Sequence, residues 1–235
     1  MPGASSADFS ERWTQRVIAL WQTKLWLSVV ISVGFWVPYL VLSRHAWLPV
    51  HSLPLTWIDR WAGFQPQPWA WVYESNFLVT GIVPWLITRR DVLRRYVLGF
   101  GLMAVVCFAI FLLFPVASPR PTGLDNSAFM LLFARVDGPL NAFPSLHAGS
   151  LVYSLALARR MFRGRLHPAV VVGGLLWGSL ILFATLATKQ HYAVDLLAGA
   201  LIGCLADRVA WRHSSSEDSA EARIRRNVGT TSQVG

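Results

Sequence analysis

Six apolar runs alternate with short polar and basic stretches along this chain, at about residues 26–43, 69–87, 96–115, 144–160, 168–187 and 191–210. Most approach the ~20 residues a helix needs to cross a bilayer, and the fourth is the shortest. Within lipid every backbone polar group must be satisfied internally, so the pattern predicts helices, not open strands. The expected fold is all-α: a polytopic bundle of six transmembrane helices over 26–211. Ahead of it, "FSERWTQRVIALWQTK" places Trp13, Val17, Leu20 and Trp21 at helical spacing with Arg12 and Arg16 off the stripe. That is the pattern of an interfacial amphipathic helix within residues 1–25. Residues 212–235 have almost no apolar content and are expected to be a disordered tail.

Composition agrees with the pattern: 54% of residues are hydrophobic and 14% charged. Residues 1–25 lack an apolar region followed by a small-residue cleavage site, so the first apolar run is expected to act as the insertion signal. The net charge of +9 does not point to nucleic acid, because the positive residues cluster between the apolar runs. With the amino terminus inside, sixteen of the 21 Lys and Arg residues fall on the cytoplasmic side. The loops "TRRDVLRR" and "RRMFRGR" dominate that bias. Both termini are therefore expected to be cytoplasmic. The expected location is a plasma membrane, which in a bacterium is the inner membrane. Cys107 and Cys204 lie inside apolar runs without metal-ligand spacing and read as small core residues. The twelve tryptophans crowd segment ends and the stretch 47–71, as in an interfacial belt. Gly-x3-Gly spacings at Gly174/Gly178 and Gly199/Gly203 predict close packing between the last two segments.

This topology puts three unusual polar stretches on the outer face: the loop 116–143 and the heads of the fourth and sixth segments. "SPRP" places Arg120 just outside the membrane, where a guanidinium fork suits a phosphate. "FPSLH" carries Ser145 at a helix start and His147 about one turn in. "TKQHYAVD" places His191 and Asp195 four residues apart, on one helix face, with Lys189 beside them. That spacing lets the carboxylate hold one ring nitrogen and leaves the other as a free base. Two histidines, a carboxylate and cations at one membrane face suit phosphoryl transfer from a lipid. Arg120, Lys189 and Ser145 would hold phosphate oxygens; one histidine would attack and the other would protonate the leaving oxygen.

"ASPRP", "PSLH" at 144–147 and "ATLATKQHYAVD" at 184–195 resemble, in order and spacing, the three signatures of the type-2 phosphatidic acid phosphatase superfamily. The resemblance covers about residues 96–210. It implies a six-helix bundle and a two-step mechanism without metal or other cofactor. His191 would be the nucleophile forming a phosphohistidine, Asp195 its orienting partner, and His147 the acid and then the base. Leu113 stands where that family has its first lysine, Leu146 where it has glycine, and Ala184–Thr185 where it has Ser-Arg. The "TKQHY…D" form looks like the inositolphosphorylceramide-synthase-like branch, which includes phosphotransferases.

Glu74 could pair with Lys189 or Arg120, contact a head group, or simply reach the interface. Residues 127–138 read as a lid over the site or as a loop resting on the bilayer. Three further classes compete. A two-histidine, one-carboxylate metal site would suffer repulsion from Arg120 and Lys189. A serine protease would lack a Gly-x-Ser setting at Ser145. A non-enzymatic membrane protein would carry a decayed site. The expected partners are a lipid phosphate substrate and membrane lipids; oligomeric state is not legible.

Overall fold

The computed structural model describes residues 13–120 and 138–212. Among these residues the fold is all-helical, with two isolated backbone bridges and no strands. A short helix, α1, covers 13–18. It is followed by α2 (Trp21–Leu42), α3 (Trp57–Ala62), α4 (Pro66–Trp85), α5 (Arg90–Leu113), α6 (Leu146–Phe162), α7 (Pro168–Ala187) and α8 (Ala193–Trp211). The proposed tail lies almost wholly outside the described residues, as does nearly all of the suggested lid.

Helix boundaries follow local chemistry. Pro66 and Pro168 open α4 and α7, where a missing N–H costs nothing. Ser145 caps α6, its Oγ accepting from Ala148 N at 3.2 Å. Leu20, at φ 57°, breaks the chain between α1 and α2. Trp13 of α1 meets Phe162 at 5.5 Å between ring centroids, while Val17 and Trp21 stay exposed.

Three helices, α2, α5 and α7, are long and apolar enough to cross a membrane, and they mark the chain as a membrane protein. Their outward faces carry bare Leu, Val and Trp side chains, such as Trp26, Val105 and Leu176. A water-soluble fold rarely tolerates such a continuous apolar surface, but lipid solvates it. The other long helices, α4, α6 and α8, carry the buried polar groups Asn76, His147 and Asp195.

The closest helix pair is α6 with α8; α4 lies against α6 and α7, and α5 against α8. Close approach at α6/α8 depends on small residues. A Cβ on Gly203 would stand 2.5 Å from the Gly149 carbonyl oxygen, and one on Gly199 would overlap the Ser145 carbonyl. The Gly199/Gly203 spacing therefore serves contact with α6. This corrects the expectation that it joins the last two segments. Gly178 also faces α6, through Leu155, and Gly174 faces open space. At the opposite end of the pair, Arg160 donates to Asp207 in a two-pronged ion pair, with Nε–Oδ1 at 3.1 Å.

A second correction concerns cysteine. Cys107 is buried in the cluster with Met103, Phe111 and Tyr153, but Cys204 is exposed on α8. Successive turns of one helix face protein and lipid alike, and an apolar run does not reveal which.

Connecting segments cap the bundle end that holds the site. His51 N donates to the Pro115 carbonyl, Ala117 N to His51, and Ala142 N to Val116. Leu140 N donates to the Ser43 carbonyl. These bonds bind the segments around 51, 116 and 141 into one layer, which fixes the approach to α6.

Candidate active site

The N-termini of α6 and α8 meet, and both candidate histidines sit there. His147 lies in the first turn of α6 and His191 two residues before α8. The junction is tied by Ser145 N donating to the Asp195 carbonyl at 3.0 Å. His147 Nδ1 and His191 Nε2 approach to 3.2 Å, and both side chains are almost fully buried. Two helix N-termini converging on one point provide a positive field for an anion.

The hydrogen bonds assign the ring protons. His191 Nδ1 lies 2.8 Å from the Ala142 carbonyl oxygen. A carbonyl only accepts, so Nδ1 carries the hydrogen and Nε2 of the neutral ring keeps its lone pair. His147 Nδ1–H then donates to that lone pair. The Nε2 lone pair of one ring and the Nδ1 hydrogen of the other thus face each other. Tyr73 Oη lies 3.4 Å from the same His147 nitrogen. The His147 backbone carbonyl accepts from Ser150 Oγ at 3.2 Å and from Asn76 Nδ2 at 3.4 Å.

Asp195 stands behind His191. Its Oδ2 is 3.6 Å from His191 Nδ1 and accepts from Tyr192 N at 2.7 Å. The direct hydrogen-bond partner of His191 is therefore the Ala142 carbonyl, with the carboxylate as a near charge. A backbone carbonyl leaves no residue-type signal in a sequence.

The candidate phosphate ligands are placed unequally. Arg120 is half-buried and its Nη2 donates to the side-chain oxygen of Gln190, next to His191 in the chain. Ser145 is buried, with its Oγ engaged as the α6 cap. Lys189 has φ 55° and sends its ammonium to the backbone carbonyl of Asp59. Burial pushes the Lys189 ammonium below its ordinary 10.5, against the opposing pull of Asp59. A lowered lysine pKa means the fold carries a desolvation cost while the group is charged. That cost disappears as pH rises through the folded value, and so does any attraction of Lys189 for phosphate.

Two positions that depart from the family pattern are consistent with this placement. Leu113 is 68% exposed at the C-terminal end of α5. Thr185 is fully buried, its hydroxyl donating to the Leu182 carbonyl at 2.6 Å. Glu74 is half-buried on α4, one residue from the face that carries Tyr73 and Asn76.

Asp59 was not singled out in the sequence, yet it organises the approach to His191. It is 1% exposed. Its Oδ1 accepts from Ala193 N, the first residue of α8, at 2.8 Å. Its Oδ2 accepts from Thr56 N at 2.8 Å and Thr56 Oγ1 at 2.6 Å. The readable signal was "TWID", a capping-box spacing at 56–59. An Asp59→Ala variant leaves these buried donors without an acceptor, which is expected to cost about 2–4 kcal/mol. Thermal unfolding in detergent measures it; an unchanged midpoint would refute the role.

No curated protein and no solved structure matches this chain. A family model described as the PAP2 superfamily does match, over residues 42–208, a span that contains α3 through most of α8 and every group at the junction. With a histidine pair and its carboxylate held inside that match, the chain belongs to the PAP2 superfamily, and membership supports a phosphatase-type function.

Proposed function

We propose that the protein is an integral membrane lipid phosphatase that works through a phosphohistidine on His191. The observation that carries this reading is the 3.2 Å approach of His147 Nδ1 to His191 Nε2, with His191 Nδ1 held by the Ala142 carbonyl. The two rings part to admit the phosphoryl group of the substrate, exchanging their mutual hydrogen bond for contacts with it. His191 Nε2 forms a bond to phosphorus as the P–O bond to the leaving group breaks, an ester bond in a phosphomonoester and an anhydride bond in a diphosphate. The leaving oxygen takes the electron pair and a proton from Nδ1 of a doubly protonated His147, which is left as neutral imidazole. In the second step His147 accepts a proton from water, whose oxygen bonds to phosphorus as the P–Nε2 bond breaks, returning the electron pair to His191 and releasing phosphate. Asp195 stabilises the imidazolium character that develops on His191.

Charge on the phosphoryl oxygens is met by the two helix N-termini and by Arg120. Arg120 reaches them by exchanging its contact with Gln190. The Ser145 hydroxyl can donate to the phosphoryl group while its Oγ caps α6, and Lys189 reaches it by exchanging its contact with the Asp59 carbonyl.

The substrate is a phosphomonoester or diphosphate of a membrane lipid, such as phosphatidate or a polyprenyl diphosphate. The bias of positive loops supports six spans, cytoplasmic termini and a site on the outer face of the plasma membrane. The likeness of "TKQHY…D" to the inositolphosphorylceramide-synthase-like branch supports a second reading, transfer of the phosphoryl group to an alcohol.

Purified protein in detergent is expected to release inorganic phosphate from at least one lipid in a panel of phosphatidate, phosphatidylglycerol phosphate and polyprenyl diphosphate. Chelator should leave the rate unchanged. Quenching with alkali should preserve a labelled phosphoenzyme that acid destroys. Turnover of none of these lipids, with or without an added alcohol, would sink the proposal; turnover only with the alcohol would select the transferase reading.

A further inference from the structure

A cleft of about 370 Å³ opens between α2, α4 and α6, and its wall includes His147. This volume is near the low end of the roughly 300–1,000 Å³ range of small-molecule sites. Its inner end is polar and its wall is aromatic. Phe77 stands edge-on to His147 at 5.5 Å between centroids, Trp36 follows Phe77 at 5.7 Å, and Phe35 follows Trp36 at 5.7 Å. These rings lead continuously from the histidine to the exposed, apolar face of α2. That path suits one hydrocarbon chain.

Asn76 lines the cleft and is 1% exposed. Its Nδ2 donates to the His147 carbonyl at 3.4 Å, which fixes the orientation of the amide, because turning it over would set two oxygens against each other. The opposite end, Oδ1, is buried and accepts no hydrogen bond among the described residues. A buried acceptor without a protein donor is costly and is met by water or by a ligand that can donate in its place. Neither a hydrocarbon chain nor an ester oxygen can donate. A hydroxyl can.

We propose that this cleft is the seat of the lipid alcohol released in the first step, its chain along Phe77 and Trp36 and its hydroxyl donating to Asn76 Oδ1. The assignment rests on the phosphatase reading above, for a phosphomonoester substrate. As the P–Nε2 bond forms and the ester P–O bond breaks, the leaving oxygen gains a proton from His147, and the new O–H turns to Asn76. The unfilled acceptor favours the alcohol over the phosphate ester that precedes it, so the product alcohol is a competitive inhibitor with a single chain in the cleft.

The test does not need turnover. Protein in phosphatidylcholine nanodiscs is photolabelled with a dodecanol analogue carrying a diazirine at the far end of its chain. Labelled peptides are expected from α2 and α4. Dodecanol should compete at about three- to tenfold lower concentration than dodecyl methyl ether, which has no donor. Asn76→Leu should erase that difference. Gly81→Leu provides a second variant. Gly81 lines the cleft and a Cβ there meets nothing within 4 Å, so a larger side chain has room to enter the cleft and should abolish the label. Equal competition by alcohol and ether in the wild type would overturn the proposal, as would a difference that survives Asn76→Leu, or labelling unaffected by Gly81→Leu. Absence of lipid phosphate hydrolysis with this labelling intact would instead count against the phosphatase reading alone.

Discussion

A His191→Ala variant is expected to lose at least about 10⁴-fold in turnover of lipid phosphates and to form no phosphoenzyme. His191 is the ring whose Nδ1 is pinned by a backbone carbonyl, which leaves the Nε2 lone pair as the attacking atom of the proposed mechanism. Removing it deletes a bond-forming atom, so no other group at the junction restores the two-step route. His147→Ala should behave differently. Loss of the acid slows lipid esters by about 10²–10⁴-fold, because an alkoxide must leave unprotonated. With para-nitrophenyl phosphate, whose leaving group needs no acid, His147→Ala should still be phosphorylated. The phosphoenzyme should then accumulate, since water lacks its base. Rapid-quench labelling separates the two variants. If His191→Ala retained phosphoenzyme while His147→Ala lost it, the roles would be reversed; if both kept normal turnover, neither ring would be in the reaction.

The helices were legible because each long one is an apolar run, and run length records burial in lipid or protein directly. The seventh segment of the structure, α7, begins and ends where its hydrophobicity does, at 168 and 187. The short helix α3 was hidden. Its six residues carry too little periodicity, and its exposed Trp57 and Trp61 dominate the pattern as interfacial tryptophans. The site divides in the same way. His147, His191 and Asp195 announce themselves as polar residues at the heads of apolar segments. The Ala142 carbonyl is invisible, because every residue has one. Glu74 drew notice as a charge, but Tyr73 and Asn76, three apart on α4, share the face that meets His147. Gly199 and Gly203 signalled a close approach without naming the partner. Spacing along one helix fixes which face is small but not which helix fills it, and long-range pairing is a property of the fold.

The largest structural effect is expected from Gly199→Val, on that same face. Any Cβ at 199 meets the Ser145 carbonyl, which is backbone and cannot rotate away. The two helices must separate, or the start of α6 must unwind. Either response breaks the bond from Ser145 N to the Asp195 carbonyl and draws His147 away from His191. Overpacking at a fixed backbone contact is expected to cost about 3 kcal/mol. The chemistry should suffer more than the fold, because turnover depends on ring separation far more steeply than packing does; a displacement of about 1 Å is enough for a loss of about 10²-fold. Gly174→Val is the matched control. It belongs to the other Gly-x3-Gly pair, on α7, with nothing within 4 Å of its Cβ position, and should leave both properties unchanged. Thermal unfolding in detergent and turnover per folded molecule, measured on both variants, decide the matter. Equal behaviour of the two would mean that the α6/α8 crossing does not set the histidine separation, and that the pair is held instead by the capping layer around Ala142.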